Sequence, residues 1–230
     1  MLRPLRALII GSPGSGKGTL SARLVQHAPA MRTLSAGDVL RAHIRNGTEI
    51  GREAEGVVKR GGLMPDRVMM GVLSAELEGM GAETPWLLDG FPRTIGQARL
   101  LDEKLATLRQ PLQLVINLDV PEEVVLSRIL DRWLHPASGR VYNMSFNPPK
   151  RAGFDDETGE PLEQRPDDNA EAFAQRLKAF HREMAPLLEY YRDQRDAPKG
   201  ERPAYVSLRG EESDVIWPKM WDVVRQYRLQ

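Results

Sequence analysis

The sequence predicts an α/β fold: a parallel sheet of about five strands flanked by helices, with one small β-rich insert late in the chain. Three observations carry this. Short apolar runs, the mark of strands buried on both faces, alternate with segments of helical periodicity. The first of these runs ends in a glycine-rich loop that opens directly into a helix. One stretch, residues 133–164, breaks the alternation with a high density of Pro, Gly, Asn and Asp.

Taken in order, residues 5–10 read as a buried strand and residues 17–26 as the helix after the glycine loop. Further strands are expected at 31–34, 86–88, 112–118 and 205–208. Helical patterns separate them at 68–77, 94–108, 122–132, 171–191 and 214–227, and Arg41 falls on a helical face after a Ser/Gly turn. Pro121 followed by Glu122 and Glu123 is a sound helix start, because proline tolerates the first turn and acids suit the dipole there. Within the insert, residues 140–142 read as a short strand. Trp133, Val141, Tyr142, Phe146 and Phe154 are available to build a small core around it. A structureless loop of that length inside a domain is improbable, and long inserts often serve as lids.

The chain has 230 residues, 41% apolar, with 32 basic against 32 acidic side chains, a balance that argues against a coat for nucleic acid. It contains no cysteine, so disulfides, thiolate metal sites and a cysteine nucleophile are excluded. No apolar run approaches the ~20 residues of a membrane span. The start, Met1-Leu2-Arg3-Pro4-Leu5-Arg6, reads either as the remnant of an organellar presequence or as an ordinary basic terminus, and it is too short for a secretory signal.

Gly11-Ser12-Pro13-Gly14-Ser15-Gly16-Lys17-Gly18-Thr19 is the strongest chemical signal. Phosphates need many donors in a small concavity; glycines let successive N–H groups turn inward, and the helix N-terminus adds its dipole. Lys17 then reaches the β- and γ-phosphates of a triphosphate. Gly18 stands where a Ser or Thr usually follows the lysine, with Thr19 next, so a metal held through water is expected. Trp86-Leu87-Leu88-Asp89-Gly90-Phe91-Pro92-Arg93 delivers Asp89 to the C-terminal edge of a strand, where ligands bind in such sheets. A strand-end Asp by itself is more often a cap; beside a phosphate loop it is placed to organise Mg²⁺, with Arg93 ready to chelate a phosphate. Arg128, Arg132, Arg140, Arg165 and Arg176 bracket the insert, and Arg128 and Arg132, four apart, are expected on one helix face around an anion.

The glycine loop, Ser35-Ala36-Gly37-Asp38 with Leu40-Arg41, Asp89-Gly90-Phe91-Pro92-Arg93-Thr94 and the arginine-bracketed insert resemble the adenylate kinase family, in order and over nearly the whole chain. Trp133-Leu134-His135-Pro136-Ala137-Ser138-Gly139-Arg140, Phe146-Asn147-Pro148-Pro149-Lys150 and Ile216-Trp217-Pro218 are most similar to its mitochondrial GTP:AMP phosphotransferase branch. The resemblance implies a P-loop NTPase-like core (residues 1–34, 65–130 and 169–230), an AMP-binding flap (35–64) and a lid (131–168). It implies Gly14, Ser15, Gly16, Lys17, Gly18, Thr19, Arg128, Arg132, Val141 and Tyr142 on the donor triphosphate. It implies Ala36, Arg41, Gly62, Leu63, Met64, Gly90, Arg93, Gln97, Arg165 and Arg176 around AMP and the transferring phosphate, with Gln97 on the adenine. Mg²⁺ would come with the nucleotide, near Asp89 and Thr19. Ala36 lacks the hydroxyl common there, and Pro166 replaces a charged residue at the lid's return.

So read, the chain is a monomeric nucleoside monophosphate kinase moving a γ-phosphoryl group from a purine triphosphate, GTP favoured, to AMP. Its partners are small nucleotides rather than nucleic acid or membrane, and its compartment is the mitochondrial matrix, with cytoplasm as the alternative. An ordinary ATP:AMP enzyme and a nucleotide-switch module remain the alternatives; a switch would need none of the acceptor arginines. His135-x-x-Ser138 and Asp155-x-x-Thr158 share the register of a zinc ribbon, but hydroxyls are poor zinc ligands. A hydrogen-bonded lid without zinc is therefore expected, with the Asp155 carboxylate accepting from His135.

Overall fold

The computed structural model describes residues 4–60, 62–145, 147–165, 168–193, 203–227 and 229. Five strands, β1 (Arg6–Gly11), β2 (Arg32–Ser35), β3 (Trp86–Asp89), β4 (Leu114–Asp119) and a last one at Ala204–Arg209, form one sheet. The order is β2-β3-β1-β4 and then that last strand, and every pairing is parallel. Strand side chains alternate between faces, so Leu8, Ile10, Leu88 and Val115 enter one core while Ala7, Ile9, Leu87, Leu114 and Ile116 enter the other. Both faces are therefore covered, as the uninterrupted apolar runs require.

The helices are α1 (Lys17–His27), α2 (Ala36–Arg45), α3 (Glu49–Lys59), α4 (Asp66–Gly79), α5 (Ile95–Thr107), α6 (Glu122–Leu130), α7 (Ala170–Arg192) and α8 (Ser213–Val224). Leu40 of α2, Leu73 and Leu77 of α4, Leu101 of α5 and Leu187 of α7 pack on the first face. Leu20 and Leu24 of α1, Val125 and Ile129 of α6, and Ile216 and Met220 of α8 pack on the second. Pro121 is the N-cap of α6, with Glu122 and Glu123 in its first turn. Among the described residues no helix is long and apolar enough to cross a membrane.

Two expectations need correction. The helix of 122–132 stops at Leu130, because the chain turns where Asp131 accepts from the Ser145 backbone N–H (2.8 Å) and hydroxyl (2.6 Å). Arg132 therefore begins a strand, β5 (Arg132–Leu134), antiparallel to β6 (Val141–Asn143), and does not share a helix face with Arg128. Among its described residues the core of the insert is also not purely aromatic. Tyr142 and Leu162 are buried, but so are His135 and Asp155, while Trp133, Val141 and Phe154 are half-buried. Phe146 and Pro166 lie outside the described residues. The last strand of the main sheet, Ala204–Arg209, is β7.

The register fixes where the ends of the strands meet. Ile9 of β1 and Ser35 of β2 both lie opposite Asp89. The glycine loop, the start of α2 and the Asp89 turn consequently emerge side by side at one edge of the sheet, its C-terminal edge, as ligand sites do in such folds.

Candidate active site

The phosphate loop leaves β1 at Gly11 and enters α1 at Lys17. Gly14 (φ 84°) and Gly16 (φ 87°) occupy the left-handed region that other residues avoid. A Cβ on Gly14 would strike Val125 and Ile129 of α6 at 2.9 Å, so the loop can sit this deep only with glycine there. Among the described residues no side chain caps α1, whose first N–H groups are left for an anion. The Lys17 ammonium donates to the Gly11 and Ser12 carbonyls at 2.8 and 2.7 Å and approaches the Ser15 hydroxyl at 3.4 Å. Burial pushes the Lys17 pKa down to about 8; Asp89 opposes the shift, while Arg93, Arg176 and Arg132 add to it.

That list of neighbours is itself a finding, because it gathers groups far apart in sequence. Asp89 is half-buried, and burial raises its pKa against the pull of Lys17 and Arg93. Its carboxylate accepts no hydrogen bond from the described residues, which leaves all its lone pairs for a hydrated cation. Thr19 is exposed on the first turn of α1. Both residues thus fit a divalent ion carried in on a triphosphate. Among the described residues no cluster of three or more His, Asp or Glu is placed to hold a metal by itself.

Four of the remaining arginines lean on a carboxylate. Arg132 donates to Asp168 through Nε (2.7 Å to Oδ2) and Nη2, and Arg176 stands 3.9 Å from the same carboxylate, which is buried. Arg41 pairs with Asp38 at 2.5 Å, and Arg165 reaches the same oxygen at 3.7 Å. Burial pushes the Asp38 carboxyl up, but the two arginines carry it below its usual value. Arg165 is pushed down to about 10 by burial first and by Arg41 and Arg132 next, and its Nε has no acceptor among the described residues. Arg93 donates through Nε to the Gly90 carbonyl at 2.8 Å. Arg128 stands apart: its guanidinium donates to the Glu211 carbonyl on the β7–α8 loop, and Ser213, the first residue of α8, adjoins Gly16.

A cavity opens between α2, α3 and the Asp89 turn. Of the residues expected around AMP, all but Arg165 line it: Ala36, Arg41, Gly62, Leu63, Met64, Gly90, Arg93, Gln97 and Arg176. Leu40, Val58 and Met69 complete its apolar wall and were not anticipated. Val58 comes from α3, a helix the reading overlooked although Ile50, Ala54, Val57 and Val58 carry its spacing. Val141 and Tyr142 belong to β6 instead, and the Tyr142 hydroxyl is committed to Asp155 at 2.9 Å.

The insert is tied by the expected four residues with a different division of partners. His135 bonds Ser138 (2.7 Å) and Glu160 (2.5 Å), while Thr158 donates to Asp155 (3.0 Å) and stands 3.5 Å from His135. His135 is 3.9 Å from Asp155, beyond hydrogen-bond reach, because Arg140 holds that carboxylate in a two-pronged pair at 2.8 and 2.6 Å. Arg140 thus belongs to the insert's own structure. Arg140 first, then Thr158 and Tyr142, hold the Asp155 carboxyl far below its ordinary range.

A family model described as adenylate kinase matches residues 9–196. A Saccharomyces cerevisiae protein named "GTP:AMP phosphotransferase, mitochondrial" is 43% identical, across 97% of this chain and 94% of its own length. A second of that name, from S. cerevisiae strain ATCC 204508 / S288c, is 44% identical across 94% of each chain. An "Adenylate kinase" of Vanderwaltozyma polyspora is 46% identical over 82% of this chain and 84% of its own.

Proposed function

This chain belongs to the adenylate kinase family, and on that premise we propose that it transfers the γ-phosphoryl group of a purine nucleoside triphosphate, GTP before ATP, to AMP. The single observation that carries the transfer is the convergence of Lys17, Arg41, Arg93, Arg132, Arg165 and Arg176, six cations, around the carboxylates of Asp38, Asp89 and Asp168. A surplus of fixed positive charge beside a phosphate loop suits two polyanions that must be brought together. Phosphoryl transfer asks for in-line positioning and charge neutralisation, and for little covalent chemistry from the protein.

In this reading the triphosphate lies along the glycine loop, with Lys17 and Arg132 on its terminal phosphates and Arg128 toward its nucleoside end. AMP occupies the α2–α3 cavity, its base beside Gln97 and its phosphate among Arg41, Arg93, Arg165 and Arg176. Asp89 and Thr19 would hold substrate-borne Mg²⁺ through water, and the ion would supply further charge neutralisation. Residues 35–64 act as the flap and 131–168 as the lid over a core of 1–34, 65–130 and 169–230. Their closure excludes water, which would otherwise compete as acceptor. The protein acts as a monomer on small nucleotides. The names of the yeast relatives support the mitochondrion as its compartment, and we assign the matrix within it.

The test is initial rates of ADP formation from AMP with GTP, ATP or ITP and Mg²⁺. GTP should give the highest kcat/KM. An ATP preference overturns the donor assignment alone, whereas nucleotide binding without any ADP formation leaves only a binding module.

A further inference from the structure

Thr94 is the N-cap of α5, and its hydroxyl accepts from the Gln97 backbone N–H at 3.1 Å. In a Thr-x-x-Gln arrangement of this kind the glutamine side chain ordinarily returns to the N-cap's own N–H. Here it reaches one residue further: Gln97 Oε1 accepts from the backbone N–H of Arg93 at 2.8 Å. A backbone N–H can only donate, so the amide atom facing it is the oxygen and the amino group lies on the other side. Gln97 is 2% exposed and lines the same cavity as Arg93. Arg93 is thereby fixed at two points, its backbone by Gln97 and its Nε by the Gly90 carbonyl at 2.8 Å.

We propose that Gln97 is a positioning residue for Arg93 as well as a base contact. Its amide oxygen holds the backbone that carries the phosphate-binding guanidinium, and its amide nitrogen donates to a ring nitrogen of the acceptor base. The inference rests on the assignment of this cavity to AMP. It makes recognition of the base and alignment of the phosphate two jobs of one side chain.

Two variants separate the roles. Gln97→Glu retains an oxygen toward Arg93 and loses the donor to the base; Gln97→Leu loses both. Gln97→Glu should raise the KM for AMP and keep kcat within about 3-fold, since the reacting groups stay aligned. Gln97→Leu should raise that KM and also cut kcat at saturating AMP by roughly 10- to 100-fold, the scale expected when a catalytic group shifts by about an ångström. A glutamine that only reads the base leaves kcat at saturation intact in the leucine variant, and that result overturns the proposal, as does equal loss of kcat in both variants. Hydrogen exchange at the Arg93 amide gives a readout independent of turnover. Protection should persist in Gln97→Glu and fall in Gln97→Leu; unchanged protection in the leucine variant overturns the contact. Should Gln97→Leu fail to fold, loss of Arg93 protection in folded Gln97→Glu is the refuting result. A wild-type protein that forms no ADP refutes the phosphotransfer reading, while the exchange comparison still decides the role of Gln97.

Discussion

Lys17 offers the sharpest test of the electrostatics, through its titration in the free enzyme. Burial among arginines holds its pKa near about 8 rather than 10.5, a shift of a lysine that loses its proton more readily folded than unfolded. At ~1.36 kcal/mol per unit this amounts to roughly 3 kcal/mol disfavouring the charged form. The sign follows from linkage: the penalty is fully present below pH 8 and disappears as pH rises from about 8 to 10.5, so this group makes the free fold more stable across that window. Capture of the triphosphate runs the other way, because only the ammonium attracts phosphate. The pH profile of kcat/KM for the triphosphate reports the free enzyme, so it should fall roughly tenfold per unit above pH 8. The limb in kcat should lie higher, since a bound triphosphate stabilises the proton. Lys17→Arg should abolish the limb, and Asp89→Asn should move it below that of the wild type, because Asp89 is the neighbour that raises Lys17. Steady-state rates between pH 6 and 10.5, paired with thermal unfolding of the free enzyme, measure both trends. A limb near 10.5, or one that survives in Lys17→Arg, refutes the reasoning.

Lys17→Met should fold normally and lose turnover by roughly 10²- to 10³-fold, the scale of removing one preorganised donor from developing charge; near-normal turnover in a folded variant rejects its assignment. Asp168→Ala strands Arg132 and Arg176 without their shared carboxylate and should cost about 3–5 kcal/mol of stability, the usual penalty for half of a buried pair, read by urea unfolding. Asp155→Ala should loosen residues 133–164 before the core, visible as early proteolytic cleavage there. Because the folded-state pKa of Asp155 is depressed, the same loosening should appear in the wild type as pH falls below about 4, and metal analysis should find no stoichiometric zinc.

What the sequence made legible was whatever is written contiguously. The glycine loop and the Asp89–Arg93 turn each combine an apolar strand with the residues that follow it, and strand register alone then brings Asp89 beside Ile9 and Ser35. Arg132 was misread because residues 122–132 have continuous helix-forming character, and nothing local announces that Asp131 will be taken by Ser145, fourteen positions on. The repulsion expected between Arg128 and Arg132 never arises; one leans on the Glu211 carbonyl and the other on Asp168. Glu160 escaped notice as the partner of His135 for the same reason, a separation of 25 residues with no motif between. Asp38 was present in a quoted run, three positions from Arg41, and Asp168 lies three positions from Arg165, but their value as counterions appears only when arginines arrive from elsewhere.

The sharing of those carboxylates explains how a site so rich in cations can exist before its substrates arrive. Asp38 lies between Arg41 and Arg165, Asp168 between Arg132 and Arg176, and Asp89 beside Lys17 and Arg93. Six cations, all but Arg93 half-buried, would carry a desolvation cost with no anion beside them that a marginally stable fold does not tolerate. Six matched by six carboxylates would leave nothing to attract phosphate. Among the described residues these three carboxylates serve six cations, which lies between the two limits, and every cation keeps a partner. Guanidinium suits the arrangement better than ammonium, since its forked donors can hold a carboxylate and still present N–H groups to a phosphate. Arg165, whose Nε has no acceptor among the described residues and whose pKa is pushed down to about 10, shows this deficit, as does Lys17 at about 8. On the proposed reading, the phosphates of donor and acceptor supply the remaining counter-charge.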